Sequence, residues 1–218
     1  VHARNKPMAD DVDLSVVARR TPGFTGADLA NVVNEAALLC GRRRGEQITM
    51  ADVGASIDRV IAGPERTSRA MSERERSITA FHEAGHSVVG HAMPNCDPIH
   101  KVSIVARGRA LGWTLSLPTE DRHTHSRGEL VDRLAMLLGG RAAEIEVTTG
   151  AHDDIERATR LARAMVTEFG MSEVVGPQRL SGRDDDPFLG RDHVQRHEVS
   201  EAVAASVDRE VKRLLDEA

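Results

Sequence analysis

The sequence predicts a mainly α protein with one small β-hairpin, and three observations lead there. Aromatic residues make up 2% of the 218-residue chain, so the core falls to Leu, Val, Ala and Ile, which suits packed helices. Helix-start signals recur from one end to the other. Strand-like patterning is confined to residues 101–117.

Asp13 precedes "LSVVARR", and "TPGF" at 21–24 breaks the chain before "TGADLANVVNEAALLCGRR", for which Thr25 is the natural N-cap. Leu29, Val32, Val33, Ala36 and Ala37 share one face of that second helix. Thr49 with Asp52 opens a third, which Gly63 and Pro64 stop. Residues 1–63 therefore form a small helical unit, and 64–76 are a charged linker running into a new helix start. Ser72 followed three residues later by Glu75 is a capping box, so a long helix extends from there to Pro94. "KVSIVA" (101–106) and "LGWTLSL" (111–117), joined by "RGRA", predict the hairpin. Ser126 and Glu129 form another capping box, and the Gly139–Gly140 pair in the helix they open predicts close packing or a kink. A further helix starts near Asp153 and ends at Gly170, "SGRDDDPFLGRD" (181–192) is loop, and Ser200 caps a last helix with Val203, Val207, Val211 and Leu214 on one side.

This length fits one or two domains. Lys and Arg number 29 against 34 Asp and Glu, a formal charge of −5 without a basic stripe, which argues against nucleic-acid binding. Cys40 and Cys96 are far apart and form no C-x-x-C pair, so they are expected as thiols. No run approaches the roughly 18 apolar residues of a spanning helix, and the chain as it stands is expected to be soluble.

Chemistry concentrates in "FHEAGHSVVGH", residues 81–91. On a helix, His82 and His86 stand one turn apart on one face, where both imidazoles can reach one ion. Glu83 points about a hundred degrees away, close to such an ion but outside its ligand set, where it can take and return a proton. Ile78, Phe81, Gly85, Val88 and Val89 surround the motif and predict a largely buried helix, in which paired histidines need a ligand. A catalytic zinc also needs a third protein ligand. Val89 and Ala92 occupy the places where H-E-x-x-H-x-x-G-x-x-H would need Gly and His, so that pattern is excluded. His91 is turned off the ligand face. Glu144, Asp153 and Asp154 are the carboxylate candidates, and spacing does not choose among them.

In order, "TPGFTGADLANVVNEAALL", "IDRVIAGPERTSR", "HEAGH", "LGWTLSLP", "LLGGRAAE" and "TTGAHDDIERATRLARAMVTEFGMSE" resemble the FtsH family of ATP-dependent, membrane-anchored zinc metalloproteases, over nearly the whole chain. The resemblance implies that 1–63 are the C-terminal helical (lid) subdomain of an AAA+ module and 77–218 a zinc peptidase domain. It implies His82, His86 and Asp154 as ligands of Zn2+, Glu83 as catalytic base and acid, and Glu144 as a neighbour supporting the site. Asp153 stands where the family has asparagine. Gly112, Trp113 and Thr114 match the strand that holds substrate backbone, with Trp113 in place of a common tyrosine. His2, Gly26 and Ala27 match lid positions beside the nucleotide.

The resemblance further implies a homo-hexamer that degrades unfolded or membrane proteins at the cytoplasmic face of a bacterial inner membrane. No G-x-x-x-x-G-K-[ST] loop occurs, so ATP and Mg2+ would be handled only by a longer protein whose ATPase and membrane segments precede Val1. A different class of function is a catalytically silent module in which a metal merely ties helices together. Glu83 discriminates, since a structural site needs no base.

Overall fold

The computed structural model describes residues 1–65, 71–107, 110–118, 122, 124–180 and 199–218. Among these residues are seven helices, α1 (Leu14–Arg19), α2 (Gly26–Arg42), α3 (Met50–Ala62), α4 (Glu73–Ala92), α5 (Arg127–Ala143), α6 (His152–Thr167) and α7 (Glu201–Glu217), with strands β1 (Ile99–Ser103) and β2 (Trp113–Ser116). The loop expected at 181–192 and residues 66–70 of the expected linker lie outside the described residues. The chain divides into two compact units, Val1–Glu83 with Asp97–His123, and Ala84–Cys96 with Thr124–Ala218, the division falling inside the continuous helix α4.

In the first unit, helix starts sit where hydroxyl and carboxylate side chains satisfy free amide groups. Thr25 with Asp28, and Thr49 with Asp52, form reciprocal capping boxes. Ser72 and Glu75 cap α4 in the same way. The core is Val17, Val32, Ala36, Cys40, Ile48, Val53 and Ile57, the inward stripe of α2 meeting that of α3. Gly63, at φ 83°, ends α3 in a conformation that a β-carbon would strain.

The hairpin is fastened to this unit by charge. Lys101 of β1 pairs with the buried Asp58 of α3, while Arg107 pairs with Glu65 and donates to the Gly63 carbonyl at 3.2 Å. β1 and β2 are antiparallel, with Val102 opposite Thr114 and Ser103 opposite Trp113. β1 starts and ends earlier than the 101–106 expected from the apolar run. An irregularity between Ile99 and Lys101 shifts the register, and pairing resumes only as an isolated bridge between Arg107 and Ala110.

The second unit is built on α5, α6 and α7. Leu134, Ala158, Ala162, Met165 and Val166 are fully buried, and Val207, Val211 and Leu214 of α7 close over them. Buried Glu210 of α7 accepts from Ser172 Oγ at 2.8 Å and from Arg213, whose guanidinium holds this carboxyl below its ordinary range. α5 runs unbroken through Gly139–Gly140 and ends at Ala143, and Gly139 serves close packing. A β-carbon on Gly85 of α4 would stand 2.2 Å from the Gly139 carbonyl oxygen, and one on Gly139 would stand 2.9 Å from that of Gly85.

Asp52 provides a test of the first unit. Its carboxylate takes Arg43 Nη2 at 2.7 Å as well as the Thr49 amide, and the Arg43 hydrogen bonds above all lower its pKa to about 2. A lowered carboxyl pKa stabilises the fold above the unfolded value near 3.8 and ceases to do so as pH falls through about 2. With Arg43 half-exposed and partly screened, Asp52→Asn is expected to cost about 1–2 kcal/mol at pH 7, shrinking between pH 4 and pH 2, as measured by urea unfolding.

Candidate metal centre

α4 presents the motif as the sequence predicts, but its surroundings are less buried than predicted. Phe81 is 49% and Val88 68% exposed, whereas Glu83 and His86 are buried. α4 is packed along one face only, so the apolar residues flanking the motif do not all mark the core. His91 lies on the exposed side.

His82, His86 and Asp154 come together, each offering one ligand atom, with those atoms within 4.8 Å of one another. His86 Nδ1 lies 2.8 Å from the carbonyl oxygen of Met136 on α5. A carbonyl only accepts, so Nδ1 carries the proton and a neutral His86 ring turns its Nε2 lone pair outward. That Nε2 faces Asp154 Oδ2 at 3.3 Å. With the ring neutral, two lone-pair atoms face each other, an arrangement that a proton or a cation between them relieves. Donors around a tetrahedral zinc with bonds of about 2.0–2.1 Å are about 3.3–3.4 Å apart, so the donor set fits the ion in kind and its His86–Asp154 pair fits in spacing.

Asp154 sits in the first turn of α6, where free amide groups favour a carboxylate, and Ala151 supplies no side-chain cap. Asp153 is exposed and groups instead with His152 and Glu156. Of the three carboxylates left open by spacing, Asp154 is the one beside the histidines. The Glu144 side chain is inaccessible to solvent and accepts from the Thr148 amide at 3.1 Å, with Arg141 at 3.7 Å. It shapes the turn that leads to α6. Thr148 Oγ1 in turn accepts from the Gly150 amide at 3.0 Å.

Glu83 lies against β2. Thr114 Oγ1 donates to its Oε2 at 2.7 Å, and the Gly112 backbone abuts its side chain. Trp113 points to the other face, its ring 5.7 Å from Lys101 Nζ and 6.0 Å from the Arg107 guanidinium carbon. The two-stranded sheet leaves β2 one edge without a strand partner among the described residues. His2 Nε2 stands 3.9 Å from a β-carbon built on Gly26, so these two predicted lid positions are neighbours, with Ala27 next along α2. Sequence reasoning missed the Met136 carbonyl, which as a backbone group leaves no residue signature. It also assigned Thr114 to substrate alone, although a hydroxyl on the strand nearest the motif was a signal for a contact with Glu83.

A helical scaffold with two histidines one turn apart, a facing aspartate and a buried glutamate beside an open strand defines a metal-dependent hydrolase class. The profile of peptidase family M41 matches residues 69–218, and that of the AAA+ lid domain matches 11–54. The chain belongs to peptidase family M41 and carries an FtsH-type zinc metalloprotease domain. It is 56% identical over 220 residues to ATP-dependent zinc metalloprotease FtsH 3 of Symbiobacterium thermophilum, covering 99% of this chain and 35% of that protein. It is 56% identical to the FtsH metalloprotease of Rubrobacter xylanophilus over 222 residues, 100% of this chain and 34% of that protein. For the Thermotoga maritima FtsH metalloprotease the identity is 52% over 220 residues, 99% of this chain and 36% of that protein. The chain thus spans about a third of the length of these relatives. No helix among the described residues is long and apolar enough to cross a membrane.

The glycine contact beneath the motif can be tested directly. Gly85→Ala forces α4 and α5 apart, so the variant is expected to lose zinc affinity by at least about tenfold and to melt earlier. Competition with a chromophoric chelator and thermal melting check both.

Proposed function

We propose that the chain is the zinc-dependent endopeptidase portion of an ATP-dependent, membrane-anchored protease that degrades unfolded or membrane proteins. The observation that carries this reading is the meeting of the His82 and His86 donor atoms of α4 with that of Asp154 of α6, beside a buried Glu83 that takes a hydrogen bond from Thr114 of β2. His82, His86 and Asp154 would hold the metal. Zinc, when bound, supplies a Lewis acid that acidifies water and polarises the peptide carbonyl.

The remaining work falls to the chain. The edge of β2 at Trp113 and Thr114, with Gly112 just before it, holds extended substrate by backbone hydrogen bonds, which select for unfolded polypeptide without reading its sequence. Glu83 takes a proton from the attacking water as its oxygen bonds to the carbonyl carbon. The same carboxyl then gives that proton to the amide nitrogen as the C–N bond breaks. Folded proteins, whose strands are already paired, are poor substrates.

In this proposal residues 1–63 are the lid subdomain of an AAA+ module, 64–76 a linker and helix start, and 77–218 the peptidase domain. His2, Gly26 and Ala27 lie on the nucleotide side of the lid, with ATP and Mg2+ bound by the longer protein. The whole assembles as a homo-hexamer at the cytoplasmic face of a membrane. The catalytically silent alternative has no observation in its favour, since a buried glutamate beside a purely structural metal would serve no purpose.

The test is zinc content together with cleavage of an unfolded, fluorescently labelled protein. Wild type is expected to hold about one zinc per chain. Glu83→Gln should keep the metal and lose cleavage by about 10²–10⁴-fold, whereas Asp154→Ala should lose both metal and cleavage. Zinc binding without cleavage by the full-length wild-type protein would reject the peptidase reading.

A further inference from the structure

We propose that strand β2 and the residue that leads into it position the base, with Thr114 as a positioning residue for Glu83 and Gly112 as the gap that admits its carboxylate. This deepens the peptidase reading and rests on Glu83 being the base. Thr114 Oγ1 donates to Glu83 Oε2 at 2.7 Å, and its 3.4 Å separation from the Glu83 backbone oxygen leaves the carboxylate as the better acceptor of its single proton. Two residues earlier, in the bend that leads into the strand, a β-carbon on Gly112 would stand 2.7 Å from Glu83 Oε1, 2.8 Å from Glu83 Cγ and 2.8 Å from Thr79 Cγ2. Gly112 has an ordinary backbone conformation, so glycine is needed there for space.

Each carboxylate oxygen is therefore addressed by the strand or the bend before it. Thr114 anchors Oε2 through a hydrogen bond. The missing side chain of Gly112 leaves room for Oε1, the oxygen not engaged by the hydroxyl. A carboxylate held in place by the strand keeps a fixed direction, which is what proton transfer to and from a substrate requires. Because the same strand offers its edge to the substrate backbone, the reacting carbonyl and the base are set by one element. Trp113, between the two, points to the opposite face and takes no part in this clasp.

The test uses the zinc-loaded full-length protein with Thr114→Val, Thr114→Ser and Glu83→Gln, cleaving the same labelled unfolded protein. Thr114→Val is expected to keep its zinc and its KM within about twofold while kcat falls about 10–100-fold, and Thr114→Ser, which restores the hydroxyl, to return kcat to within about threefold of wild type. A second readout needs no metal and no turnover. In the metal-free protein the Thr114 hydroxyl proton should exchange slowly with water by NMR in wild type and fast in Glu83→Ala. Wild-type kcat in Thr114→Val beside an inactive Glu83→Gln would overturn the positioning role and leave the base assignment standing. Failure of Ser to rescue, or equal hydroxyl exchange in wild type and Glu83→Ala, would also overturn it. Full activity in Glu83→Gln would remove the base assignment and this inference together.

Discussion

The close approach of α4 and α5 at Gly85 and Gly139 is the constraint on which the metal centre depends. With the two backbones near enough that no side chain fits between them, His86 meets the carbonyl of Met136, one turn before Gly139. Any β-branched or longer residue at Gly85 would lift the ring from that carbonyl. The loss would reach the metal centre through the tautomer, because Nδ1 bound to a carbonyl is what turns the Nε2 lone pair outward.

Electrostatics then explains why such an arrangement calls for a cation. A neutral imidazole and a carboxylate facing each other at 3.3 Å are poor neighbours unless a proton or an ion lies between them. The first turn of α6 stabilises the negative charge on Asp154, and Glu144 ties down the turn that delivers it. The base is supported differently, by a hydroxyl on a strand and by the lack of a side chain just before it. The ligands and the base, although His82 and Glu83 are adjacent in sequence, thus depend on different parts of the fold.

Much of this was legible in the residues. Thr25, Thr49, Ser72, Ser126 and Ser200 mark helix starts correctly because capping is local chemistry, decided within four residues. Gly139–Gly140 announced either close packing or a kink, and the unbroken α5 with its close approach at Gly139 decides for packing. The strand limits came out shifted because pairing is decided across the sheet, where the irregularity at Ile99/Lys101 moves the register. The burial expected around Phe81 and Val88 failed for a related reason, since apolar character does not say which face of a helix will be covered.

By itself the sequence determined the helix starts, the presence of a hairpin and the His82–Glu83–His86 triplet, all of which depend on spacing along a chain of known helical period. Only the tertiary structure decided which carboxylate faces those histidines, which carbonyl fixes the His86 tautomer and which hydroxyl holds Glu83. Those contacts join residues 31 to 72 positions apart, and their geometry is created when separate elements pack, so it is encoded in no local stretch of the chain.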